Sequence, residues 1–241
     1  MKPGRRSIWD GRDLVVFDLD GTLYNQSRLR ALMVLSLCFD AMRTRSFRNM
    51  RVIQNFRRCR EVLARSSPTH FVERQFSDTA VLSQCSEEEV KQIVSEWIDQ
   101  RPLPHLAACR YPGVGALFDG LRHSGRLVAV LSDYPAREKL AALGLEADIV
   151  VSAADADIQS LKPDPAGLMK ILRTAGTRPD RALMVGDRFD RDWAVAECVG
   201  MEAIIRSDIV DPRCTTFRSY HDPLFAPVLR SSQPPEQRHE V

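Results

Sequence analysis

Short apolar runs fall in two places along the chain, separated by a long stretch that has none. Leu14 to Phe17, Leu127 to Leu131, Ile149 to Val151, Ala182 to Val185 and Ala203 to Ile205 are uninterrupted and mostly β-branched or aliphatic, as strands buried on both faces of a parallel sheet are. Helical spacing fills the gaps between the later runs. Val114 to Arg122 reads as a helix stopped near Gly125, Pro135 opens one that ends near Gly144, and Arg191 to Cys198 forms one ended by Gly200. Asp164 and Pro165 make an N-cap and first turn for Leu168, Ile171, Leu172 and Ala175, with Gly176 at the C′ position.

From Gln26 to about Ala108 the spacing is helical throughout. Leu29 to Phe39 is apolar almost all round and predicts a buried helix, and its most apolar part is too short to span a bilayer. Val52, Phe56, Cys59 and Leu63 keep one helical stripe, and Ser86 with Glu89 reads as a capping box ahead of Val90, Ile93, Val94, Trp97 and Ile98. The order is therefore β, a long helical insertion, then βαβαβαβ, which predicts an open parallel α/β sheet with a helical lobe inserted after its first strand. Beyond Asp208 the pattern fades. A last strand and short helix are expected within 217–229, and the polar, proline-containing segment 231–241 is expected to be disordered.

Composition narrows the class. The chain has 241 residues, 44% hydrophobic and 27% charged, enough to bury a real core and unlike a disordered chain. A net charge of +2 indicates no partner by itself. The polar, basic N-terminus lacks the apolar core of a secretory signal. Six cysteines, at 38, 59, 85, 109, 198 and 214, are scattered without a C-x-x-C pair, so neither a zinc site nor a disulfide framework is signalled and a reducing, cytoplasmic setting is expected.

Ligands of open parallel sheets bind beyond the carboxyl ends of the strands. There the first run ends in Asp18-Leu19-Asp20-Gly21-Thr22, the second in Ser132-Asp133 and the fourth in Gly186-Asp187, with Asp190 and Asp192 just after; Lys162 lies in the loop before a proline-capped helix. Carboxylates at i and i+2 can face one pocket, where they bind a hard cation or divide nucleophilic and acid/base work.

In this order the segments resemble the haloacid dehalogenase superfamily, whose motifs are D-x-D-G-T, an apolar strand ending in Ser or Thr, a lysine commonly in K-P-D-P, and G-D-x-x-x-x-D. Here they stand as Asp18 to Thr22, Val130 to Asp133, Lys162 to Pro165, and Gly186-Asp187 with Asp192. The resemblance, over residues 14 to about 206, implies a Rossmann-like open parallel sheet of order 5-4-1-2-3 with an inserted α-helical C1 cap. It implies a phosphatase that uses Mg2+ and an aspartyl-phosphate. Asp18 would be the nucleophile, Asp20 the acid/base, and Lys162 a charge-neutralising catalytic residue. Thr22, Ser132, Asp133 and Lys162 would hold the substrate phosphate, the metal would take Asp18, the Asp20 carbonyl and Asp187, and Asp192 would stand behind them, orienting Lys162 or the metal's outer shell. Asp190 departs from the usual spacing and is expected to face solvent. The family's dehalogenases lack an aspartate at the position of Asp20, since a leaving halide needs no proton, so its presence favours ester hydrolysis. An acid beside cations poses a difficulty, because they lower its pKa; solvent exclusion by a closing lid is the expected remedy.

The expected domains are a core of 1–23 and 109–230, a helical cap of 24–108, and the tail 231–241. Nine arginines lie between Arg43 and Arg74, against only Glu61 and Glu73. Three readings stand: a solvated basic face, recognition of a second anionic group on the substrate, or a docking surface; the lack of stacking aromatics disfavours nucleic acid. The expected partner is a small soluble phosphate ester, without a membrane, for a monomer or homodimer. A phosphomutase, or a non-hydrolytic binding protein working through the arginine-rich cap, is the alternative.

Overall fold

Each sheet strand alternates its side chains between two apolar layers. The computed structural model describes residues 7–66 and 70–230. Its strands are β1 (Leu14–Phe17), β2 (Leu127–Ser132), β3 (Ile149–Ser152), β4 (Ala182–Gly186), β5 (Glu202–Arg206) and β6 (Thr215–Phe217). They form one parallel sheet in the order β3-β2-β1-β4-β5-β6. This is the expected 5-4-1-2-3 arrangement with the sixth strand added at the β5 edge. The expected tail, 231–241, lies outside the described residues.

Val15 and Phe17 pack with Val128, Val130, Leu183 and Val185 on one face, whereas Leu14 and Val16 pack with Ala129, Leu131, Ala182 and Met184 on the other. The period of two sets this division, and burying each such side chain contributes about 1.5–3 kcal/mol. Helices α1 (Gln26–Thr44), α2 (Arg48–Ser66), α3 (Phe71–Ser83), α4 (Glu87–Val94), continued by a π-helical turn at Ser95–Gln100, and α5 (Leu103–Cys109) come between β1 and the rest of the sheet. Later helices are α6 (Val114–His123), α7 (Arg137–Leu143), α8 (Ala166–Ala175), α9 (Ala194–Cys198) and α10 (Ala226–Leu229). Leu117, Leu121 and Leu140 of α6 and α7 cover the first face of the sheet, and Leu168, Ile171 and Val195 of α8 and α9 cover the second.

The helices after β1 hold a core of their own, in which Val52, Ile53 and Phe56 of α2 meet Val90, Ile93, Trp97 and Ile98. Two contacts tie this core to the sheet's loops: Tyr134 packs against it, and Leu63 and Phe71 pack with Ala153 and Leu161. α1 corrects one expectation. Leu29, Met33 and Leu37 are buried, but Leu35 and Phe39 are 68% and 67% exposed, because α1 presents only one face to α2 and α5. The Ser86 cap forms as expected, its hydroxyl accepting from the Glu89 amide, while the Glu89 carboxylate turns instead to Arg48. All six cysteines are free, and no helix among the described residues is long and apolar enough to cross a membrane.

Candidate active site

Register brings the chemistry together. Phe17 lies level with Val130 and Val185, so Asp18, the Ser132-Asp133 pair and Asp187 leave three adjacent strands at the same edge. The turn after Asp18 is tight: Gly21 has φ +101°, and a Cβ there would lie 2.2 Å from an Asp187 carboxylate oxygen. Only glycine permits both the backbone conformation and this approach. The Thr22 hydroxyl donates to Asp18 Oδ2 at 2.8 Å and lies 3.5 Å from Asp187 Oδ1, so it is engaged with the carboxylates and wholly buried. The buried Tyr220, beyond β6, donates its hydroxyl to the Thr22 carbonyl at 2.8 Å and so buttresses the turn.

Lys162 is 4% exposed and bridges two carboxylates, hydrogen-bonding Asp18 and, at 2.6 Å, Asp192. The other oxygen of Asp192 accepts from the backbone amides of Asp187 and Arg188, at 3.0 Å each. Gly186 makes room for it, since a Cβ there would fall 2.2 Å from the Asp192 Cβ. Ser132 Oγ accepts from the Tyr134 amide, and Asp133 accepts from the Lys162 amide at 3.2 Å and from Arg191 at 2.9 Å. Asp190 is exposed and pairs with Arg188, facing solvent as its spacing suggested.

Asp18, Asp187 and Asp192 each place one oxygen within 4.8 Å of the others. Burial and mutual repulsion push two of them up: Asp187 to about 7, Asp18 well above the usual carboxylate range. Burial disfavours the Lys162 ammonium, but Asp18, Asp192 and Asp133 outweigh it and hold Lys162 well above its ordinary value. Hard oxygen donors crowded against their own charge suit a divalent cation. Asp192 accepts three hydrogen bonds against two for Asp18, so Asp18 and Asp187 are the side chains with more acceptor positions to offer.

Asp20 lines the same cleft but has partners of its own. Its carboxylate is held by Lys139 of α7, at 2.7 and 3.0 Å, and by the Tyr24 hydroxyl. Burial would raise its pKa, but these partners prevail and lower it. Lys139 and Tyr24 escaped the sequence reading, because one lysine on a short helix looks like a solvated charge. Arg60 of α2 was noticed only as one of nine arginines; it donates to the Asp133 carbonyl and stacks 3.9 Å from the Tyr134 ring centroid. Glu61 beside it pairs with Arg188 and Arg191, linking α2 to the loop after β4.

A family model for haloacid dehalogenase-like hydrolases matches residues 12–200. A phosphoglycolate phosphatase of Rhodospirillum rubrum is 37% identical over 110 residues, which cover 44% of this chain and 45% of that protein. The chain thus spans less than half the length of that curated relative. A glyceraldehyde 3-phosphate phosphatase of Methanopyrus kandleri is 27% identical over 206 residues, covering 79% of this chain and 82% of that one. Among solved structures, a 2-haloacid dehalogenase from Pseudomonas syringae pv. Tomato superposes with a TM-score of 0.62 at 21% identity, covering 91% of this chain and 98% of that chain, a likeness of fold alone. With the sheet order and the match across most of its length, the chain belongs to the haloacid dehalogenase-like hydrolases.

Proposed function

We propose that the chain is a cytoplasmic, magnesium-dependent phosphatase of small phosphomonoesters. The observation that carries this reading is that two carboxylates one residue apart have different partners: Asp18 bonds Lys162, while Asp20 bonds Lys139 and Tyr24. A halide leaves without a proton, whereas an alkoxide needs one, and Asp20 is the carboxyl group at hand to supply it, against the pull of Lys139 and Tyr24, which lower its pKa.

In this reading Asp18 attacks phosphorus, the ester P–O bond breaks, and the leaving oxygen takes a proton from Asp20. Water then attacks the aspartyl-phosphate, gives its proton to Asp20 and frees Asp18. Thr22 holds the nucleophile, and Lys162 offsets charge on Asp18 and on the transferring group. Ser132 and the backbone beside Asp133 receive phosphate oxygens, and Asp192 keeps Lys162 in place. Asp18, Asp187 and the Asp20 carbonyl would hold magnesium, which when bound neutralises charge on the phosphoryl oxygens. The helices of 24–108 act as a cap over this edge, and 1–23 with 109–230 as the core.

Purified protein is expected to release phosphate from small phosphomonoesters when magnesium is supplied, and to stop when the metal is chelated. Chelation-resistant turnover would overturn the metal assignment, and silence toward a broad panel of phosphorylated metabolites the activity itself. Lys139 positions and tunes Asp20. Lys139→Met should raise the Asp20 pKa, moving upward the limb of the pH–rate profile that Asp20 governs. A profile that keeps its wild-type limb would show that Lys139 does not govern this group.

A further inference from the structure

The arginines of the inserted helices differ in what they face. Arg43, Arg48 and Arg74 pair with Asp40, Glu89 and Asp78, while Arg60 donates to the Asp133 carbonyl. Arg45, Arg51, Arg58 and Arg65 are exposed to water. Arg57 alone among these nine is half-buried and has no ion pair or hydrogen bond among the described residues. Burial lowers its pKa by more than Tyr134, Tyr24 and Asp20 raise it, and the nearby Arg30 adds to the lowering. A shielded guanidinium with no counter-charge in hydrogen-bond reach is costly unless a ligand supplies one.

Arg57 lines the walls of two adjoining cavities. One is the cleft that contains Asp18, Lys162 and Asp187; the other lies beyond Asp20, where Arg30, Arg57 and Lys139 face Met33 and Ile98. Asp20 belongs to both, so the second cavity lies on the side to which a proton would be passed, where a leaving group sits. Its volume is about 50 Å³. At about 10–15 Å³ for each water-sized group, that admits only a handful of such groups. The Asp20 carboxylate is already taken by Lys139 and Tyr24, which leaves Arg57 as the charge in need of a partner.

Resting on the phosphatase reading, we propose that Arg57, with Arg30 beside it, binds a carboxylate on the leaving alcohol, so that the preferred substrates are phosphate monoesters of short hydroxycarboxylic acids. The planar guanidinium matches a carboxylate in two parallel hydrogen bonds, and the apolar wall of Met33 and Ile98 offers a polyhydroxylated leaving group little in return. Selectivity therefore comes from a charge on the helical side, separate from the residues that handle the phosphate.

Two esters of nearly the same size separate the possibilities: 2-phosphoglycolate, which carries the carboxylate, and 2-hydroxyethyl phosphate, which has a hydroxymethyl group instead. The wild type should favour the first in kcat/KM. Arg57→Met should reduce that preference by about 10- to 100-fold, the scale of a lost charge-assisted hydrogen bond, mainly through KM, and Arg57→Lys should restore part of it. Equal turnover of both esters by the wild type would overturn the inference and leave the phosphatase reading standing. An equal fall for both esters in Arg57→Met, with the preference intact, would assign Arg57 a structural role and overturn the inference too. Turnover of neither ester, while other phosphomonoesters are hydrolysed, would also overturn it alone; silence toward all of them would overturn both readings.

Discussion

Asp18→Asn is expected to lower phosphate release by at least about 10⁴-fold while leaving the fold at wild-type stability or above. The catalytic loss follows from the proposed chemistry: an amide is not the ionised nucleophile that attacks phosphorus, and removing a nucleophile that acts as part of a unit costs orders of magnitude. The structural tolerance follows from the hydrogen bonds. The Asn oxygen can still accept from Lys162, which retains Asp192, and the Thr22 hydroxyl can accept from the new amide where it now donates. The substitution also removes one of three crowded carboxylates. Asp18 is raised well above the usual range, so the folded protein binds a proton there more tightly than the unfolded chain does, and stability falls as pH rises from the unfolded value through the folded one. Without Asp18 that decline should flatten, so in the absence of metal the variant's melting temperature should gain most on the wild type toward alkaline pH. Phosphate release within tenfold of the wild type would sink Asp18 as nucleophile. A variant that melts well below the wild type at every pH would contradict the account of the carboxylate cluster.

The convergence of Asp18, Ser132, Lys162 and Asp187 on one edge is legible in the sequence. Apolar runs mark strand ends, and the parallel register carries whatever follows each strand to the same side of the sheet. Asp192 is legible by its spacing from Asp187. What could not be read depends on side-chain direction across elements distant in sequence. Lys139 looks like any charged helical residue until α7 is packed beneath the β1 turn, where it becomes the partner of Asp20. In the sequence the nine arginines allow a solvated face, recognition of a second anionic group or a docking surface; only the packing of α2 distinguishes Arg57, which lines a cavity with no ion pair or hydrogen bond among the described residues, from Arg58, exposed to water. The apolar sequence of α1 predicted burial all round, yet Leu35 and Phe39 lie on a side that nothing covers among the described residues. Likewise, the pattern beyond Asp208 suggested a strand and a helix, but gave no sign that Tyr220 supports Thr22.

Lys162→Met should be the most damaging substitution for the fold as well as for turnover. The wild-type ammonium is buried between Asp18 and Asp192, and it lies 3.4 Å from the Leu131 carbonyl. Removing one side of a buried ion pair leaves the other without compensation and typically costs about 3–5 kcal/mol. Here two carboxylates lose their cation at once, with Asp187 close by and already pushed to about 7. Methionine fills the lysine's stem but cannot neutralise them, so they must take up protons to stay buried. The folded pKa values of Asp18 and Asp187, already above the unfolded ones, then rise further, and the folded state binds more protons than the unfolded state between those limits. The penalty should therefore be smallest near pH 4, where the unfolded chain is also becoming protonated, and should grow as pH rises through neutrality. Urea unfolding of Lys162→Met and wild type across pH 5–9 measures this as a widening gap in midpoint. A constant gap would indicate that lost packing, rather than uncompensated charge, is what the substitution removes; no gap at all would refute the buried bridge between Asp18 and Asp192.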